Sequence, residues 1–82
     1  MDEIDNKPVD PWLRRRLAEH VRRMRLEKQL SQERLSADCG FHRTYISQVE
    51  RAVTNITLDN LQKLAAALEV DPSELLAMTA PA

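Results

Sequence analysis

The sequence predicts an all-α fold, one compact domain of five helices. Three observations lead there. Ala, Leu, Glu, Arg and Gln dominate the composition, all strong helix formers, and the chain holds a single glycine. Apolar residues recur at spacings of three and four in successive segments. Those segments are separated by short stretches, most of which end in Ser, Thr or Asp, the residues that cap the helix to follow. A length of 82 residues fits one domain. A domain this small has little interior, and oligomerisation is one way to add buried area.

Residues 1–10 are poor in apolar side chains, contain Pro8 and read as a flexible acidic arm. The domain itself is expected over residues 11–78. Asp10 before Pro11 predicts an N-cap followed by proline at the first helical position. Leu13, Leu17, Val21 and Met24 give the first helix its apolar stripe, with His20 at its border, to about Lys28. Ser31 predicts the cap of a second helix over Gln32–Cys39, with Leu35 and Cys39 facing inward. Gly40 follows where a left-handed residue closes a helix, and Phe41 turns inward. His42 is the expected cap of a third helix from Arg43 to about Arg51. Thr57 predicts the cap of a fourth, with Leu58, Leu61, Leu64, Ala65 and Leu68 on its inner side. Asp71, Pro72 and Glu74 spell a capping box for a fifth. Residues 79–82 read as a frayed tail.

The third helix sorts its side chains by angle. With Arg43 at zero and 100° per residue, Ser47 falls near ~40°, Arg51 near ~80°, Thr44 near ~100° and Gln48 near ~140°. Tyr45, Val49 and Ile46 fall near ~200°, ~240° and ~300° on the same count. One side forms hydrogen bonds and carries charge; the other packs. The charge distribution agrees. The formal net charge is −1, yet residues 11–55 carry ten basic groups against five acidic ones. A polyanion can bind the basic middle of a nearly neutral chain. Two short helices joined by a tight glycine turn form a helix-turn-helix, whose second helix fits the major groove of DNA. There Arg and Gln can grip base edges bidentately.

The segments "LSQERLSADCGFHRTYISQVER" and "NITLDNLQKLAAALEVDPSELL" resemble the phage-repressor-like, xenobiotic-response-element class of helix-turn-helix regulators. The match covers roughly residues 14–77, and within that class "HRTYISQVER" followed by "NITLDN" is most similar to the controller proteins of restriction–modification systems. The resemblance implies a lambda-repressor-like fold and a homodimer that binds paired operator half-sites in double-stranded DNA and regulates its own promoter. It implies base contacts from Arg43, Thr44, Ser47 and Gln48. Gln32 matches the position that clamps a phosphate at the start of the second helix. Tyr45, Arg51, Asn55 and Thr57 are expected along the DNA backbone. Arg25 and Glu50 match an interhelical ion pair that orients the reading helix. The class usually has glycine where this chain has Gln29 and Ala52, both at turns that follow helices, so some strain is expected there. Ser36 stands where alanine is usual.

Leu75, Leu76 and Met78 are the expected dimer face, since a small domain's last helix often has apolar residues to spare. Other readings within DNA binding are a phage-type repressor or the antitoxin of a toxin–antitoxin pair. A protein-interaction module of the same fold is a reading from another class, and the Arg43, Thr44 and Gln48 face speaks against it. RNA polymerase is a further expected partner if the protein activates transcription. Cys39 is expected in the core, and the lone cysteine fits a reducing cytoplasm. No catalytic set, metal site, cofactor motif, small-molecule ligand, membrane span or signal peptide is expected. The two histidines have no second ligand at metal spacing, and there is no glycine-rich phosphate loop. Those readings place the protein in the bacterial cytoplasm, on the nucleoid.

Overall fold

The computed structural model describes residues 8–79, and within them the chain forms five α-helices. These are α1 (Trp12–Glu27), α2 (Gln32–Cys39), α3 (Tyr45–Glu50), α4 (Leu58–Leu68) and α5 (Pro72–Leu76). Residues 1–7 of the expected arm and 80–82 of the expected tail lie outside the described residues. α1 packs against α3 and α5, α2 against α3 and α4, and α4 against α5. One core results. Val21, Leu35, Ile46, Leu64 and Leu75 are wholly enclosed, and each comes from a different helix. No described helix is long and apolar enough to cross a membrane.

Ser31, Thr57 and Asp71 cap as expected. Ser31 accepts from the backbone N–H of Arg34 at 3.0 Å, and Thr57 from that of Asn60 at 3.1 Å. Asp71 and Glu74 form the reciprocal capping box at the start of α5, with Pro72 in its first turn. The start of α1 differs from expectation. Pro11 occupies the cap position with no side-chain cap bond. The carboxylate of Asp10 is drawn instead to the Arg15 guanidinium, 2.9 Å away, which offers a charged partner in place of a backbone amide.

Four helices end alike. Gln29, Gly40, Ala52 and Glu69 adopt left-handed backbone, with φ of 60°, 75°, 61° and 62°. Each folds its own N–H, and that of the next residue, back onto carbonyls of the preceding helix turn. Gly40 does this without a Cβ penalty. Gln29 and Ala52, where the resemblance puts glycine, take the same conformation with a side chain in the way. Glu69 adds a third such site, unsignalled in the sequence.

Three apolar assignments change. Leu58 was expected inside, yet it is 82% exposed, on the wall of an open groove that it shares with Trp12 and Leu13. Leu13 is likewise 42% exposed at the first turn of α1. Leu75 moves the other way. Expected on a dimer face, it is fully buried in the core of its own chain, and it has no side-chain surface to lend a partner. Leu76 is half-buried against the core and Met78 is exposed.

Candidate nucleic-acid interface

The turn between α2 and α3 is built from backbone bonds that its own side chains complete. Gly40 reverses the chain, and the Phe41 N–H donates to the Ser36 carbonyl at 2.8 Å. His42 then acts as a cap, though not of a helix that begins at Arg43. Its Nδ1 accepts the backbone N–H of Thr44 at 3.3 Å and the hydroxyl of Thr44 at 3.0 Å. Arg43 and Thr44 form the lead-in turn, and regular helix begins at Tyr45. The later start follows from Thr44, whose backbone (φ −97°, ψ 0°) lies outside the helical basin.

Behind the turn, Ser36 is fully buried on α2, and its hydroxyl accepts the Ile46 N–H at 3.3 Å. A helix leaves its first amides without intrahelical partners. Here a side chain of the neighbouring helix takes one of them, so α2 fixes where α3 starts. Periodicity gave no sign of this role.

The far end of α3 is held by a buried ion pair. Arg25 of α1 donates through Nε to Glu50 at 2.6 Å and through its terminal nitrogen at 3.0 Å. The two side chains are 9% and 3% exposed. Arg25 also donates to the Leu30 carbonyl at 2.8 Å, so it ties the α1–α2 turn to the same point. Hydrogen bonding to Glu50 outweighs burial and raises the pKa of Arg25 above its ordinary value. Gln32 reaches Glu50 as well, with Nε2 3.0 Å from Oε1. One donor of the side chain expected at a phosphate thus braces α3, and its second N–H remains to be given. Arg22, largely exposed, stands 4.0 Å from the same carboxylate.

Between these anchors, Ile46 and Val49 are buried while Arg43 and Thr44 are exposed and Ser47 and Gln48 are half-buried. That is the angular sorting expected of the sequence. The Ser47 hydroxyl donates to the Thr44 carbonyl at 2.8 Å, and Arg51, exposed, leans its Nε on the Ser47 carbonyl at 3.4 Å. Tyr45 is half-buried at the rim, its ring 4.5 Å from that of Phe41. Asn60 on the first turn of α4 donates to the Tyr45 hydroxyl, and this places Thr57 and the preceding loop beside the start of α3. Asn55 is exposed on that loop. The structure therefore gathers Arg43, Thr44, Ser47, Gln48 and Tyr45 on one face, with the start of α4 at its edge. Gln32 sits behind this face against Glu50, and Leu75 lies in the core. Asn60 was missed, because a bond between two elements leaves no local pattern in a sequence.

Cys39 is buried, its thiol pointing to the Lys63 carbonyl, and burial pushes its pKa up to about 11. Such a thiol packs as a small apolar group. No group of three or more His, Cys, Asp or Glu among the described residues could hold a metal ion.

Comparison with known proteins agrees with this geometry. The helix-turn-helix family profile matches residues 21–75. The control protein C.BamHI of Bacillus amyloliquefaciens is 50% identical over 60 residues, 72% of this chain and 74% of that one. The crystal structure of the hypothetical transcription factor NHTF from Neisseria superposes with a TM-score of 0.78 at 43% identity, covering 92% of this chain and 87% of that one. The restriction-modification controller C.Esp1396I, solved bound to a 19 base pair DNA duplex, superposes with a TM-score of 0.71 at 33% identity, over 78% of this chain and 85% of that one. A buried Arg25–Glu50 brace, a glycine-closed turn and an outward polar face on α3 stand in the segment that the family profile covers, and the chain belongs to the helix-turn-helix family, with restriction-modification control proteins among its relatives.

Proposed function

We propose that the protein is a sequence-specific DNA-binding transcriptional regulator, the controller of a restriction–modification system that acts on its own promoter. The observation that carries this reading is the α3 face. Arg43 and Thr44 project from a turn pinned by His42 and Ser36, next to Ser47 and Gln48, while Ile46 and Val49 hold the helix to the body. A face this polar on a six-residue helix with such deep anchorage suits insertion into a major groove. Arg43, Thr44, Ser47 and Gln48 would meet base edges. Gln32, Tyr45, Arg51, Asn55 and Thr57 would follow the phosphates, which position the protein without reading sequence. The DNA-bound state of C.Esp1396I supports the reading. The protein would work in the cytoplasm on the nucleoid, with RNA polymerase as a partner where it activates.

It would bind as a homodimer on half-sites about one helical turn apart, ~34 Å. Trp12, Leu13, Leu58 and Leu76 line one apolar groove, and the first three are 53%, 42% and 82% exposed. That groove, which includes Leu76 but not the buried Leu75, would supply the apolar contact between copies. Met78 is exposed in the segment after α5.

The test is a selection of bound duplexes from random DNA, followed by titration of the selected site and a random duplex at two salt concentrations. A reader of this kind shows a steep salt slope on both and a large preference for the selected site. Arg43→Ala should cost ~1–3 kcal/mol on the selected site and little on random DNA. Binding without salt dependence or preference would refute the proposal.

A further inference from the structure

Asn60 sits in the first turn of α4, where its backbone N–H is already taken by the Thr57 hydroxyl at 3.1 Å. Its side-chain amide crosses to α3 and donates to Tyr45 Oη at 3.2 Å. The Tyr45 ring is held separately by Phe41, with centroids 4.5 Å apart and planes tilted by 56°. A phenol on the rim of the reading face is thus fixed at its ring by the α2–α3 turn and at its oxygen by α4. Neither fold nor capping asks for the second bond. Tyr45 packs on the core through its ring, and Thr57 caps α4 whatever the Asn60 side chain does.

A phenol oxygen has one proton to give and lone pairs to receive with. The Asn60 amide fills a lone pair, so the hydroxyl proton is left to be given away from the protein body. A hydroxyl that already accepts a bond is also polarised into a better donor. On a face laid against DNA, the acceptor at the rim is a phosphate oxygen, and an O–H···O⁻ bond of that kind is short and strong. We infer that Asn60 is a positioning residue of the DNA interface, which holds the Tyr45 hydroxyl as an outward proton donor to a backbone phosphate. Asn60 acts through Tyr45 and need not touch DNA. The inference rests on the DNA-binding function proposed above.

The experiment is a double-mutant cycle on the full chain, read by fluorescence anisotropy with the selected duplex and a random one, at a temperature where circular dichroism finds every variant folded. Tyr45→Phe should weaken binding by roughly tenfold or more, the worth of a hydrogen bond to a charged acceptor. Asn60→Ala should weaken it by a similar factor, and the double variant should bind no worse than Tyr45→Phe alone. The losses should be equal on both duplexes, since phosphates carry no sequence. Losses that multiply in the double variant would overturn the inference, as would an Asn60→Ala that binds like the parent. A loss confined to the selected duplex would move the hydroxyl onto a base and overturn the phosphate assignment.

Asn60→Asp gives a second arm that keeps α4 well formed, because a carboxylate in the first turn suits the helix dipole. The carboxylate can only accept, so it takes the phenol's proton inward. It also adds a negative charge, which weakens binding with or without that proton. Its cost should therefore be several-fold larger beside Tyr45 than in the Tyr45→Phe background. Equal costs in the two backgrounds would sink the inference. If the parent chain neither prefers the selected duplex nor responds to salt, the DNA-binding function itself fails, and the unmutated protein alone makes that plain.

Discussion

Consider Arg25→Ala. The substitution removes both bonds to Glu50 and the bond to the Leu30 carbonyl, and leaves a carboxylate that is 3% exposed. Stripping one partner from a buried pair costs about 3–5 kcal/mol. Two features pull this case to the lower end. Gln32 still donates to Glu50 at 3.0 Å, and Arg22, 64% exposed and 4.0 Å away, is free to swing closer. The expected loss is about 3 kcal/mol, against a total of roughly 4–12 kcal/mol for a chain of 82 residues. Thermal unfolding, followed by circular dichroism at fixed protomer concentration, should show a midpoint lowered by roughly 12–24 °C. Arg22→Ala should be nearly silent alone and add a further loss on top of Arg25→Ala. Replacing both Arg25 and Glu50 by Met should recover most of the stability, since no charge is then stranded. A loss under about 1 kcal/mol for Arg25→Ala would mean that water reaches the carboxylate, and the buried brace would be the wrong description.

Three further outcomes are expected. Ser36→Ala should destabilise by about 1–3 kcal/mol in urea unfolding, because the Ile46 N–H loses its acceptor in a closed site; Ser36→Thr, which keeps the hydroxyl, separates that loss from the cost of added volume. Ala52→Gly should raise the unfolding free energy by roughly 0.5–1 kcal/mol, relief of left-handed strain outweighing the freedom glycine adds to the unfolded chain; a loss instead would mean that φ of 61° is unstrained there. Bonds from the Ser73 hydroxyl and N–H lower the Asp71 pKa in the folded state. Its stabilisation is therefore complete above the ordinary carboxylate pKa and drains away as pH falls through the lowered value. Melting curves across the acid range should show a shallower acid decline for Asp71→Asn.

Much of the fold was legible because helix caps and closures are local. Ser31, Thr57, Asp71 and Gly40 act within a few residues of themselves, so their chemistry can be read in order along the chain. The sorting of α3 was legible for the same reason, since angle around one helix depends only on spacing. What failed depended on where a neighbour stops. Leu58 and Leu13 lie on the apolar sides of their helices, but both line an open groove that no further described helix fills, and periodicity carries no measure of that. Leu75 was expected to be spare because a small domain's last helix often carries surplus apolar residues, yet it is enclosed where α5 packs on α1 and α4. The links Ser36–Ile46, Gln32–Glu50 and Asn60–Tyr45 span ten, eighteen and fifteen positions between helices. Each joins common residue types with no marked spacing, so only the packed chain pairs them.

The first helix and the last are fastened to each other. Arg16 donates to the Leu76 carbonyl at 3.2 Å and His20 to the Ala77 carbonyl at 2.8 Å, while Arg23 donates to the other ring nitrogen of His20. During synthesis the apolar stripe of α1 leaves the ribosome long before the residues that cover it. The contact between α1 and α5 cannot form until Leu75 and the two carbonyls after it have emerged. A nascent chain stalled short of Leu75 would leave the side of α1 that packs on α5 without its cover, a substrate for chaperones or proteases rather than a competent regulator.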